Sequence, residues 1–550
     1  MNNKNVRHGG QVLVEALKTQ GVERVFCVPG ESYLAALDAL YESGVETIVA
    51  RNEGGASMMA EADGKLTGQP GIAFVTRGPG ATNASCGVHV AFQDSTPMIL
   101  FIGQVASDQR DREAFQEVDY RAMFNPLAKW VAEIDRVDRI PEYISHAFHV
   151  AQSGRPGPVV LALPEDMLSS ECGDVAIVPA AVLPSGKAAD SDVHAVLALL
   201  ASAERPLVIA GGGSWSQRAA DALGQFAQTA GLPVGASFRC QDYLDNRHAN
   251  YIGDIGIGIN PKLAERVRNA DVILALGSRL GEMTTSGYTL LTPPMPKQTL
   301  IHVHADSSEI GRVYRPDLGI VANAAEFICQ LAEAAEAPKT SREQWITEAR
   351  ADYEEWQQPQ RTPGNLRMES VIAHLNEDLS DDAILTNGAG NYSAWLHRYY
   401  RYRGWRTQLA PTSGSMGYGL PAAIAAKLRH PERDVICLAG DGCFQMAMQE
   451  FGVACQYGAN IIVLISNNGM YGTIRMHQER HYPGRPSGTN MINPDFAALA
   501  KAYGGYGATV TSDEDFLTAF AHAKNAGVPA ILDLKVAPQA LSPKLLLESP

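Results

Sequence analysis

The sequence predicts an α/β protein of three domains, each built on a doubly wound parallel sheet, and three observations predict it. Short, continuously apolar runs alternate with amphipathic segments, which is how strands buried on both faces and the helices that cover them read. The apolar runs lead into Gly- or Pro-bearing turns, as at Pro29-Gly30 and Gly211-Gly212-Gly213. At 550 residues the chain exceeds what one hydrophobic core accommodates, so the pattern must divide.

Taken in order, Arg24–Val28 reads as a strand, Pro29-Gly30 as its turn, and Ser32–Tyr41 as a helix with Tyr33, Leu34, Leu37 and Tyr41 on one face. Thr47–Ala50 is a second strand, followed by an Ala- and Met-rich helix from Gly54 to about Leu66. Ile72–Thr76 and Met98–Gly103 continue the alternation. A second block from about Pro206 to Cys329 holds strands at Leu207–Ala210, Val272–Leu276 and Thr299–Ala305. A third starts near Met368, with strands at Ala383–Thr386, Val435–Leu438, Ile461–Ser466 and Ala530–Leu534. Ser169–Ala189 mixes Gly, Pro, Ser and Ala, while Ala334–Asn365 is charged and Pro-interrupted; both read as linkers. The domains therefore fall at 1–170, 190–335 and 365–550.

Composition narrows the function classes. Hydrophobic content of 45% with 19% charged residues fits a packed globular protein. A formal net charge of −15 argues against a nucleic-acid or anionic-membrane partner. An anionic small substrate stays open, because a metal or a local cation overrides the global field. The cysteines at 27, 86, 172, 240, 329, 437, 443 and 455 form no CxxC pair, so neither a disulfide framework nor a zinc site is expected. The N-terminal Met-Asn-Asn-Lys-Asn-Val-Arg-His is polar, unlike a signal peptide, and no run reaches the roughly 18 apolar residues of a membrane span. A cytoplasmic location is the expectation.

The densest chemical signal lies in the third block. Val435–Leu438 runs through Ala439 into Gly440-Asp441-Gly442-Cys443, a helix is expected over Gln445–Tyr457, and a returning strand ends in Asn467-Asn468-Gly469. The 24 residues between Gly442 and Asn467 suffice for one right-handed crossover, which sets the carboxyl ends of the two strands side by side. Asp441 and Asn468 would meet there, offering oxygen ligands suited to Mg²⁺, which completes its shell with phosphate oxygens and water. The glycines admit a diphosphate close to the backbone, and the following helix N-terminus favours its charge.

This Gly-Asp-Gly, the spacing and the Asn-Asn together resemble the signature of thiamine-diphosphate enzymes, and Gly469-Met470-Tyr471-Gly472 fits it too. The resemblance implies that Asp441, the Asn468 side chain and the Met470 carbonyl hold Mg²⁺. Gly440, Gly442, Cys443, Tyr471, Gly472 and the segment Ala389-Gly390-Asn391-Tyr392 would surround the diphosphate. It assigns Glu53, in Val49-Ala-Arg-Asn-Glu-Gly54, as the carboxylate at the aminopyrimidine nitrogen that activates the cofactor. In Thr412-Ser-Gly-Ser-Met416, the Gly414 carbonyl would accept from the 4′-amino group and Met416 would prop the two rings.

The resemblance spans nearly the whole chain, with pyrimidine-binding, central Rossmann-like and diphosphate-binding domains in order. Val28-Pro29-Gly30, Gly78-Pro-Gly-Ala-Thr-Asn83, Ala114-Phe-Gln-Glu-Val-Asp119 and Gly154-Arg-Pro-Gly-Pro158 are closest to the acetolactate synthase and pyruvate oxidase branch. There Phe115 and Gln116 would line the substrate side. Three departures mark the acceptor pocket: Asn52-Glu53-Gly54 replaces His-Glu-Gln, His477 stands where a tryptophan is usual, and Arg77 where a small residue is. Arg77 and His477 become candidates for recognising a polar or anionic substrate. Gly211-Gly212-Gly213, Gly256-Ile-Gly258, Gly277-Ser-Arg279 and Asp306 are compatible with FAD in the central domain, but without a GxGxxG fingerprint FAD, another adenine nucleotide or nothing all stay open. The implied function is a thiamine-diphosphate-dependent carboligase that decarboxylates pyruvate or a related 2-oxo acid and joins the fragment to a carbonyl acceptor. A carbon-carbon lyase, a simple 2-oxo acid decarboxylase and a non-catalytic ligand-binding relative are the alternatives. The family seats its cofactor between subunits, implying a homodimer or homotetramer.

Overall fold

The computed structural model describes residues 6–184, 186–338 and 341–547; the first five residues of the polar N-terminus, with Ser185 and Lys339-Thr340 of the two expected linkers, lie outside them. Three six-stranded sheets organise the chain, and every strand pair within them is parallel. The first runs, edge to edge, Glu46–Val49, Arg24–Cys27, Gly71–Val75, Met98–Gln104, Pro158–Pro164, Trp130–Glu133. The third runs Gln408–Leu409, Ile384–Asn387, Val435–Gly440, Ile462–Asn467, Ala530–Lys535, Tyr506–Val510. Numbered in chain order within each sheet, both read 2-1-3-4-6-5, so both reverse between their first and third strands. The central sheet, Tyr251–Ile255, Val234–Ser237, Pro206–Ala210, Val272–Leu276, Thr299–His304, Leu318–Val321, reads 3-2-1-4-5-6, the order of dinucleotide folds. In open parallel sheets the crevice at such a reversal, beyond the strand carboxyl ends, receives ligands.

The chain packs as two compact units. One comprises Met1–Pro184, Ser413–Glu432 and Gln445–Ile461; the other Ser185–Thr412, Arg433–Phe444 and Ile462–Pro550. In the first, helix Glu53–Thr67 is buried on almost every side, which its Gly, Ala and Met content permits. Its two buried acids are paired: Glu61 accepts from the Tyr418 hydroxyl at 2.5 Å and Thr96 at 2.7 Å and meets Lys65 at 3.1 Å, while Asp63 receives both arms of Arg429 at 2.9 Å. Left unpaired, either charge would cost several kcal/mol.

In the second unit the central strands sort their side chains by alternation. Leu207, Ile209, Ile273, Ala275 and Leu300 enter one core, and Val208, Ala210, Leu274, Leu276, Ile301 and Val303 the other. His302 is buried beside them, its Nε2 2.9 Å from the Ser278 carbonyl, and burial pushes its pKa down to about 4 from 6.5. Because the folded value lies below the unfolded one, this group's contribution is complete above pH 6.5 and is lost as pH falls toward 4, amounting to about 3 kcal/mol. His302→Gln should therefore raise the melting temperature relative to the parent increasingly below pH 6.5; an offset that does not change with pH would contradict the assignment.

Three expectations are corrected. The segment 32–41 opens as a 3₁₀ turn, Glu31–Tyr33, before the α-helix Leu34–Tyr41. Tyr33, Ala36 and Leu40 face inward, whereas Leu34 and Tyr41 are 62% and 86% exposed. The tighter first turn shifts the phase of the helix, and the Tyr33 hydroxyl anchors it by donating to the Val28 carbonyl at 2.5 Å. The expected linker 334–365 contains a 14-residue helix, Glu343–Trp356, whose Ala349 and Tyr353 pack into the two central cores. Its charged outer face masked that stripe. The helix expected over 445–457 is likewise broken, into Asp441–Gln445, a 3₁₀ turn Met448–Glu450 and Phe451–Tyr457. Among the described residues no helix is long and apolar enough to cross a membrane.

Candidate active site

In the second unit the crossover delivers what its spacing promised. Gly440 pairs with Ser466, so Asp441 leaves the sheet beside Asn467 and Asn468. Asp441 is 3% exposed. Its Oδ1 accepts from Gly442 N at 2.9 Å, and its Oδ2 from Gly469 N at 2.8 Å and Asn493 Nδ2 at 2.7 Å. Burial pushes its pKa up, and these donors, Asn493 foremost, oppose the rise. Asn468 Oδ1 accepts from Met470 N at 3.2 Å, and the Met470 carbonyl from Gly472 N at 2.9 Å. One loop edge thus gathers a buried carboxylate, an amide oxygen and a backbone carbonyl. No group of three or more His, Cys, Asp or Glu suited to a metal occurs among the described residues. A single carboxylate with neutral oxygens matches a hard cation that takes its remaining ligands from phosphate and water.

The close approach there is built from glycine. A Cβ on Gly440 would stand 2.8 Å from the Tyr392 ring, and one on Gly442 2.6 Å from the Tyr471 ring. Tyr392 is buried; its hydroxyl accepts from Gly388 N at 3.0 Å and donates to Cys443 Sγ at 3.2 Å, clasping the first and third strands across the sheet's reversal. Ala389, Gly390 and Asn391 stay partly exposed above it. The Asn391 N–H donates to Thr473 Oγ1 at 2.9 Å, tying this loop to the start of helix Gly472–His481. On that helix Arg475 turns inward to Glu479, while His477 is exposed and stacked on His481 with ring centroids 6.4 Å apart.

Asn493 escaped the sequence reading. It joins Asp441 to Asn467, 2.8 Å away, and Asn467 in turn donates to Asp533 at 2.8 Å. The only local signal, Asn493-Pro494-Asp495, reads as a turn and helix cap, and Asp495 is indeed the cap of Phe496–Ala502.

In the first unit Glu53 opens helix Glu53–Thr67 with Asn52 as N-cap, Oδ1 accepting from Gly54 N at 2.8 Å. Its half-buried carboxylate accepts from Asn83 Nδ2 at 3.0 Å. Phe115 is 71% exposed, and Gln116 beside it holds a left-handed backbone, φ +64°, as do Asp111 and Glu113. Such residues cost roughly 1–3 kcal/mol each and cluster at functional sites. The Glu117 carboxylate holds this loop by accepting from Asp111 N at 2.8 Å and Ala114 N at 3.0 Å. Gly414, φ +70°, is exposed and Met416 half-buried.

Arg77 does not present a free charge. It is 8% exposed, with Glu165 at 3.1 Å, Glu31 at 3.2 Å and the Phe115 carbonyl at 3.2 Å around its guanidinium. Arg77→Ala should cost about 1–3 kcal/mol of stability while sparing substrate preference. A changed preference among 2-oxo acids with an unchanged melting temperature would return Arg77 to substrate recognition.

Comparison with known proteins matches each of the three sheet-bearing regions. Residues 7–123 match the N-terminal TPP binding domain of thiamine pyrophosphate enzymes, 193–331 their central domain, and 388–534 their C-terminal TPP binding domain. The chain belongs to the thiamine pyrophosphate enzymes. Within that family it is 32% identical over 550 residues to the acetolactate synthase large subunit of Parasynechococcus marenigrum (strain WH8102), covering 96% of this chain and 87% of the relative. It is also 32% identical to the acetolactate synthase isozyme 3 large subunit of Escherichia coli (strain K12), over 92% of this chain and 90% of the relative. The large subunit from Lactococcus lactis subsp. lactis (strain IL1403) is 32% identical over 90% and 87%.

Proposed function

We propose that this thiamine pyrophosphate enzyme is a decarboxylating carboligase, a transferase that takes pyruvate or a related 2-oxo acid and joins the fragment left after CO₂ loss to a carbonyl acceptor. The observation that carries it is the buried Asp441 carboxylate set beside Asn468 and the Met470 carbonyl at the end of adjacent parallel strands. Those three groups hold Mg²⁺, with the Gly390-Asn391 loop and Gly440–Cys443 around the diphosphate and Glu53 at the pyrimidine ring. When bound, thiamine diphosphate supplies the carbon nucleophile and the electron sink for decarboxylation. Glu53 holds a proton at the ring nitrogen it faces, Gly414 and Met416 set the ring orientation, and Phe115 and Gln116 exclude water beside the substrate. His477, with Asn52 and Gly54, makes the acceptor pocket different from that of acetolactate synthases.

The division into 1–170, 190–335 and 365–550 serves pyrimidine, central and diphosphate functions, and FAD is one candidate occupant of the central domain. A cytoplasmic homodimer or homotetramer, with cofactor between the first domain of one subunit and the third of another, completes the reading. The likeness to the acetolactate synthase large subunits favours ligation over the lyase and simple decarboxylase alternatives. The test is CO₂ release from a panel of 2-oxo acids, with and without thiamine diphosphate and Mg²⁺, followed by product identification. Cofactor-dependent release with a ligated product supports the proposal. Cofactor binding without release from any acid would overturn it in favour of the lyase.

A further inference from the structure

A second carboxylate lies against the turn that carries Glu53. Glu450, at the end of the 3₁₀ turn Met448–Glu450, is 0% exposed. Its Oε2 accepts the Arg51 backbone N–H at 3.1 Å, and the Asn52 N–H also donates to the carboxylate. Its buried Oε1 has no hydrogen-bond partner. The Arg51 guanidinium does not pair with it, turning instead to the Val49 carbonyl and Gln456. Helix Glu53–Thr67 makes room for the group at Gly55, where a Cβ would stand 2.5 Å from the carboxyl carbon and Oε1.

A buried carboxylate whose contacts are amide N–H groups is a poor device for stability, since taking the charge out of water costs more than such donors return. Burial accordingly pushes its pKa up to about 7 against those donors. What the arrangement does provide is position. Asn52 Oδ1 holds Gly54 N at 2.8 Å, Glu450 holds the Arg51 and Asn52 N–H groups, and Glu53, between Asn52 and Gly54 in the chain, reaches Asn83.

We infer that Glu450 is a positioning residue for Glu53: its carboxylate fixes the Arg51-Asn52 backbone, hence the point from which Glu53 meets the pyrimidine ring, and glycine at position 55 admits it. This rests on the reading of Glu53 as the group that activates the cofactor. Displacement of an activating group by an ångström costs up to about 100-fold in rate.

The experiment compares the full-length parent with Glu450→Gln, Gly55→Ala, their double variant and Glu53→Gln. The readouts are deuterium exchange at the thiazolium C2 of bound thiamine diphosphate, cofactor affinity, and backbone amide exchange of the 49–56 peptide in cofactor-free protein. Both single variants should slow C2 exchange about 10- to 100-fold, keep cofactor affinity within about twofold and speed amide exchange at 51–52. The double variant should be no slower than the worse single one, because both break one contact. Gly55→Ala keeps the buried acid and carries the same expectation should Glu450→Gln not fold. Parental C2 exchange in the single variants while Glu53→Gln abolishes it, or multiplicative losses in the double variant, would overturn the inference. Parental exchange in Glu53→Gln would instead overturn the reading of Glu53.

Discussion

Glu53→Gln is expected to lower turnover by about 10²- to 10⁴-fold with cofactor affinity nearly unchanged, the range for removing a positioned acid-base group. The substitution keeps the side-chain length, and an amide oxygen still accepts from Asn83 at the 3.0 Å position now taken by Oε2. What it removes is the negative charge. A neutral amide cannot stabilise a proton on the pyrimidine nitrogen, so the cofactor binds but stays unreactive. The helix N-terminus does not compensate, because its half-unit of positive dipole favours the very anion being deleted. Steady-state turnover on the best 2-oxo acid, with thiamine diphosphate titrated against each protein, separates the two quantities. Comparable turnover in variant and parent would place the activating carboxylate elsewhere.

Asp441→Ala is expected to abolish Mg²⁺-dependent cofactor binding. It deletes the one carboxylate of the proposed ligand set and leaves the Gly442 N–H, Gly469 N–H and Asn493 amide without their acceptor. In the parent, cofactor at 100 times its dissociation constant should stabilise the fold by about 2.7 kcal/mol, seen as a raised melting temperature; in the variant that increment should vanish. The cofactor-free variant should also melt lower, since each stranded buried donor costs about 1–3 kcal/mol. A full cofactor-induced shift in Asp441→Ala would rule out Asp441 as the anchor of the metal.

Much of this molecule is legible in its sequence. Val272–Leu276 was read to the residue, and Gly440-Asp441-Gly442 and Asn467-Asn468 land on adjacent strand ends as their spacing requires. Strands buried on both faces announce themselves as unbroken apolar runs, and a crossover has a minimum length, so both signals are local. Amphipathic pieces with mixed signals were read less well. The face of helix Leu34–Tyr41 depended on a 3₁₀ turn that composition does not reveal, and helix Glu343–Trp356 hid behind its charges.

By itself, then, the sequence determined the three parallel sheets and the meeting of Gly440-Asp441-Gly442 with Asn467-Asn468 at adjacent strand ends, because each rests on short-range periodicity or on a spacing within one crossover. Only the tertiary structure decided the rest. It showed that the outer sheets share one strand order, that Arg77 is paired with Glu31 and Glu165, that Asn493 holds the Asp441 carboxylate, and that Glu450 holds the Arg51 backbone. Arg77 stands 46 residues from Glu31 and 88 from Glu165, and Glu450 stands 399 from Arg51. Whether a charge serves a substrate or a neighbour depends on partners that distant, and no local pattern encodes which partner the fold will bring.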